Sequence, residues 1–111
     1  MNTDLEAAFH QEMLNVYYLA KNECHYNANR FLQMVTDHGG LIAAKLLLGS
    51  KHHAEGLTRL WEEGRLDISM EALVLRMPWC ELFSIEDLSV AHKRLSDLGY
   101  IGLGEGSPYR I

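Results

Sequence analysis

The apolar residues of this chain recur at helical spacing in its first quarter and in short clusters thereafter. Leu5, Phe9, Met13, Val16, Ala20 and Cys24 follow one another at three- and four-residue steps, and Ala8 and Tyr17 widen the stripe. That period puts them on one face and predicts an amphipathic helix over about residues 4–26. Thr3 with Glu6 has the spacing of a capping box, and Asp4 and Glu6 suit the positive end of a helix dipole. Tyr17 and Tyr18 are adjacent on this helix and cannot both face one core, so Tyr18 is expected at the surface.

From Gly39 to Leu75 the pattern changes. Gly39-Gly40, Gly49, Gly56 and Gly64 separate runs too short for long helices and too rich in Ala and Leu for strands. Asn27 and Asn29 punctuate the first helix and can cap a second, carrying Phe31, Leu32, Met34 and Val35 and stopped at His38-Gly39-Gly40. Leu41 to Leu48, apolar apart from Lys45, is a third helix expected at the centre of the core, and Lys51-His52-His53 is a polar connection. Leu57, Leu60 and Trp61 mark a fourth helix closed by Gly64. Arg65 to Ile68 reads as extended or a turn, and Ser69 caps a fifth helix with Ala72 to Leu75. Pro78 ends it and starts a single turn through Trp79 to Leu82. Ser84 and Asp87 form a second capping box, for a last helix with Leu88, Ala91, Leu95 and Leu98 that closes at Gly99.

The expected architecture is therefore all-α: a compact array of about five to six helices, with the long N-terminal helix packed on several short ones. Residues 1–99 make one domain, and 100–111 a Gly-rich C-terminal tail. A length of 111 residues agrees with one domain. No apolar run reaches the ~18 residues of a membrane span. The start MNTDLEAAFHQEM has early acids and no basic stretch before an apolar core, unlike a secretion signal, so the expected compartment is the cytoplasm.

Charge narrows the partners. The net charge is −5 and the ten Lys and Arg are spread thinly, which disfavours a phosphate-binding surface. Cys24 and Cys80 lie far apart and read as reduced core thiols.

Candidate chemistry is sparse. The six His include Cys24-His25 and His52-His53 as adjacent pairs, Glu6 and His10 four apart on one helix face, and His38 before two glycines. Zinc needs three or four converging ligands, whereas neighbours on a helix point about 100° apart. No HExxH, CxxC or GxSxG occurs, Glu62-Glu63 and Glu86-Asp87 suit solvated helix ends, and the glycines at 102, 104 and 106 lack the flanking strand, helix and Lys of a phosphate loop. No metal, cofactor or catalytic residue is expected.

What stands out is a polar-aromatic cluster at the first helix junction. Tyr26, Arg30, Arg65 and Asp67, with Asn27 and Asn29, form a candidate binding notch. The plainer expectation for Arg30 and Arg65 is that they clamp helix ends or carboxylates, with Asp67 or Glu71 as partner. The surplus of Tyr and Trp points the same way as the notch, towards a binding surface.

The elements Arg30-Phe31-Leu32, Gly39-Gly40, Gly56-Leu57, Gly64-Arg65-Leu66-Asp67, Glu71-Ala72 and Leu82-Phe83 resemble those of an uncharacterised group of small bacterial all-helical proteins. The resemblance covers residues 26–100 and implies a self-standing or fusible helical module without implying an activity. The reading that follows is a non-enzymatic protein–protein interaction module, adaptor or regulatory, with an unknown protein partner and a homo-oligomer as a further option. The alternatives are a helix-turn-helix-like DNA-associated protein, with Ser69–Arg76 as the recognition helix, and a small metal-dependent hydrolase using His10, His38, His52 or His53.

Overall fold

The first helix determines how everything else is arranged. In the computed structural model, which describes residues 2–50 and 54–100 and the side chains of 4–50 and 56–100, α1 runs Asn2–Cys24. It buries Phe9, Met13, Tyr17, Ala20 and Cys24 along one face. Tyr18 is 48% exposed, as its position beside Tyr17 requires, whereas Ala8 lies outside the stripe at the surface. Thr3 sits inside the helix, one residue after its start, and not at the N-cap. The helix ends two residues before the expected 26 because His25 takes a left-handed backbone, φ +54°. Histidine is one of the few residues besides Gly enriched there.

Shorter helices pack across α1: α2 (Asn29–His38), α3 (Gly40–Gly49), α4 (Ala54–Glu62), α5 (Met70–Val74) and α6 (Ile85–Asp97), with 3-10 turns at Leu66–Ile68 and Trp79–Leu82. The described residues contain six α-helices and no strand, so the all-α architecture holds as predicted. Phe9 anchors the second turn to α1, its ring 5.9 Å from Trp79 and 5.5 Å edge-on to Phe83.

Local chemistry sets the helix ends. Gly64 and Gly99 both have positive φ, and each closes its helix with a paired bond pattern. Arg65 N–H reaches Leu60 O and Gly64 N–H reaches Trp61 O; Tyr100 and Gly99 repeat this on Leu95 and Ser96. Ser84 Oγ accepts from Asp87 N–H at 3.1 Å, and the Asp87 carboxylate accepts from Ser84 N–H, the capping box expected there. Ser69 Oγ caps α5 by accepting from Ala72 N–H and donates to Leu66 O.

Two expectations fail for reasons of packing. The centre of the core is not α3 but the stretch around α5: residues 68–75 are all buried. α3 buries Ala43, Ala44, Leu47 and Leu48 and leaves Ile42 and Leu46 about half exposed, because its neighbours cover only the side opposite Lys45. Asn29 is the first residue of α2 and not its cap; the N-cap is Ala28, which has no side-chain oxygen to accept a first-turn N–H. Tyr100 packs on the core. The rest of the expected tail, 101–111, and the connection Lys51-His52-His53 lie outside the described residues.

Candidate functional site

The junction between α1 and α2 borders a space that packing does not fill. After His25 turns the chain, Tyr26 N–H donates to Ala20 O at 3.0 Å, folding the strand of backbone over the last turn of α1. The Tyr26 ring lies under the Arg59 guanidinium, 5.6 Å from centroid to Cζ. Arg59 also donates to Cys24 O and pairs with Glu63 at 3.5 Å, so α4 is tied to the end of α1. Gly56 of α4 faces the same ring; a Cβ there would stand 3.4 Å from Tyr26 Oη.

Between these elements is a cavity of about 330 Å³. Its buried lining includes Phe31, Leu47, Leu57, Leu60 and Met70, with Glu71. Its exposed lining is polar: Asn27, Asn29 and Arg30. The first turn of α2 is part of this lining, and no side chain caps it. Asn29 N–H donates to Asn27 O at 2.8 Å, and the N–H groups that follow it, with the helix dipole, make that end electropositive.

Glu71 is 1% exposed and lines the cavity, but its charge is matched. Arg94 Nη1 of α6 donates to its Oε2 at 3.0 Å, while Arg94 Nη2 donates to Leu48 O and Ser50 O at the end of α3. A buried carboxylate is tolerable only with such a partner.

The predicted notch is divided. Tyr26 and Arg30 belong to the cavity. Arg65 and Asp67 do not; they form a separate clamp. Arg65 holds Asp67 through two bonds, Nε–Oδ1 at 3.1 Å and Nη2–Oδ2 at 3.2 Å, and holds Glu23 through Nη1. Arg76 donates to Asp67 O at 2.6 Å. The Arg65 guanidinium holds the Asp67 carboxyl below the usual carboxylate range, and Asp67 first, then Glu23, pushes the Arg65 value up. Of the four residues, these two carry structure, as the plainer expectation for Arg65 had it.

Arg30 differs from the other described arginines. Arg59, Arg65, Arg76 and Arg94 each make an ion pair or a hydrogen bond to a carbonyl. Arg30 is exposed and, among the described residues, has no such partner.

The other candidate chemistry is consumed by the fold. His10 Nδ1 accepts from Gly40 N–H at 2.9 Å, so this His caps α3, and a Cβ on Gly40 would fall 2.6 Å from His10 Cα. Sequence could not pair residues thirty apart; the only sign was a Gly at a helix start. Cys24 and Cys80 are buried, and burial pushes both thiols up, away from the reactive thiolate. Among the described residues no three His, Cys, Asp or Glu converge as a metal site. The recognition helix of the DNA alternative, Ser69–Arg76, needs a correction: residues 69–75 are buried, and Arg76, the exposed one, donates to Asp67 O, so no helix face is presented to a groove. No helix of the described residues is long and apolar enough to cross a membrane.

Compared with protein-family models, curated proteins and solved structures, the chain gave no match.

Proposed function

We propose that this protein is a non-catalytic binding module that docks a protein partner at the cavity between α1, α2, α4 and α5. The observation that carries the reading is Arg30, a guanidinium without a partner among the described residues, on the rim of a cavity in a molecule whose other described arginines are engaged. A cavity of about 330 Å³ with apolar walls and a few polar groups at its edge has the form of a recognition site, at the small end of the usual ~300–1,000 Å³. The absence of a catalytic reading has positive support: His10, Ser69, Glu71 and both thiols have structural roles or burial that remove them from chemistry. A duplex partner is disfavoured by the net charge of −5 and by the engagement of most guanidinia within the fold.

The test is affinity capture from the native host with the wild-type chain and with Ala28→Trp, which places an indole at the cavity edge. A near-stoichiometric partner captured by the first and lost by the second, with the melting temperature maintained, supports the reading. Equal capture by both refutes it.

Self-association is a second reading with its own observation: Ile42 and Leu46, one turn apart on α3, are 51% and 47% exposed. Sedimentation of the wild type and of Leu46→Lys decides it. A dimer converted to monomer by the substitution supports it, and a wild-type monomer ends it.

A further inference from the structure

We infer that the occupant of the cavity is the free carboxyl-terminal residue of the partner, its side chain among Leu47, Leu57 and Met70 and its carboxylate on Arg30 at the start of α2. This inference rests on the reading of the cavity as a docking site and adds the chemistry of what enters it.

Charge is the first argument. Glu71 and Arg94 cancel within the wall, so among the described residues the cavity's uncompensated charge is that of Arg30. The uncapped first turn of α2, which lines the same space, adds partial positive charge on the same side. An anion is the complementary group, and a guanidinium favours a carboxylate through its two parallel donors.

Geometry decides which carboxylate. Arg30 is exposed, whereas Phe31, Leu47, Leu57, Leu60 and Met70 are buried, so the charge must stay at the rim while an apolar group goes inward. In an internal Asp or Glu the carboxylate is the tip of the side chain, and inserting that side chain would carry the charge to the apolar end. A C-terminal residue carries carboxylate and side chain on one Cα, pointing apart, which matches a charged rim and an apolar interior.

Size and polarity separate a peptide end from an acyl chain. The volume of about 330 Å³ suits one or two residues and not the surface of a folded domain. Asn27 and Asn29 at the edge supply amide donors and acceptors for the last peptide bond.

The experiment is a titration of the ¹⁵N-labelled full chain, followed by amide chemical shifts. The probes are two pools of acetylated hexapeptides, randomised except for a last residue of Leu, Met or Phe. One pool ends in a free carboxylate, the other in a carboxamide; sodium octanoate is a third probe. The expected result is displacement of the Asn29, Arg30 and Phe31 amides by the free-acid pool, at least tenfold weaker binding of the carboxamide pool, and loss of the free-acid response in Arg30→Gln. Equal binding of both peptide pools at these amides overturns the carboxylate inference and leaves the docking cavity standing. Octanoate moving these amides while neither peptide pool does overturns the peptide in favour of a free acid. No response of the cavity residues to any probe overturns both the inference and the docking reading.

Discussion

Helices α2 and α3 follow one another in sequence and begin in opposite ways. The start of α3 is sealed: His10 Nδ1 accepts from Gly40 N–H at 2.9 Å, and α1 approaches so closely that no Cβ fits on Gly40. The start of α2 is open: Ala28 supplies no cap, the first turn borders a cavity, and the guanidinium of Arg30 has no partner among the described residues. Both ends carry the same unsatisfied N–H groups and the same dipole. The fold takes the first N–H at each end, that of Gly40 on His10 and that of Asn29 on Asn27 O at 2.8 Å, and the ends differ in what surrounds the rest: close-packed α1 at α3, a cavity at α2. No buried side-chain polar atom is unpaired among the described residues, and the open end is the place that the proposed reading assigns to an external group.

The largest expected effect tests whether the cavity wall is really neutral. Arg94→Met should remove the ion pair of the buried Glu71 carboxylate and cost about 3–5 kcal/mol, a drop of roughly 10–20 °C in melting temperature. Adding Glu71→Leu should recover much of the loss. If Arg94→Met is neutral, Glu71 is not held as a charge and the charge argument for the cavity weakens.

Sealing at α3 is tested next. Gly40→Ala would drive a methyl to 2.6 Å from His10 Cα, which the backbone must move to accommodate, at about 1–3 kcal/mol in chemical denaturation. His10→Ala, which only removes the acceptor, should cost about 1 kcal/mol. Unchanged stability in Gly40→Ala would mean that this end is as loose as that of α2.

The third prediction contrasts Arg65 with Arg30. Because the folded-state value of Asp67 is lowered, its contribution is present above the unfolded carboxyl value of about 4 and fades as pH falls through the lowered folded value. Asp67→Asn should therefore be less stable than the wild type near neutrality, by no more than about 1 kcal/mol for so exposed a pair, and the two melting curves should converge in strong acid. Arg30→Gln should show no such difference at any pH.

The last prediction, the one stabilising change, closes the open end artificially. Ala28→Asp supplies a carboxylate at the N-cap of α2 and should raise stability by about 0.5–2 kcal/mol while weakening the partner. A destabilised Ala28→Asp would show that the end is already satisfied.

Much of this architecture was legible because it is local. The Phe9–Met13–Tyr17 stripe, the Ser84–Asp87 box, the Ser69 cap and the glycine stops at 64 and 99 each depend on residues within one or two turns, and the structure has all of them. What was misread depends on distant partners. Leu41–Leu48 is apolar apart from Lys45, and that single polar residue was the only local sign of the open side on which Ile42 and Leu46 emerged. Residues 68–75 hide in a short run with a Glu in it, and nothing local says that Arg94 will neutralise that Glu. The site was half legible. Tyr26 and Arg30 stood out as polar and aromatic residues at a helix junction, but grouping them with Arg65 and Asp67 joined two separate structures, since the bidentate pairing of Arg65 and Asp67 is a matter of turn geometry.

The most direct test of the central claim puts stability and binding side by side for Arg30→Glu. The melting temperature and the affinity for the captured partner are measured on the same sample by calorimetry. The account predicts stability within about 0.5 kcal/mol of wild type and affinity lower by at least tenfold, because an unpaired surface guanidinium contributes little to the fold. Unchanged affinity, or a loss that merely follows a fall in melting temperature, would contradict it.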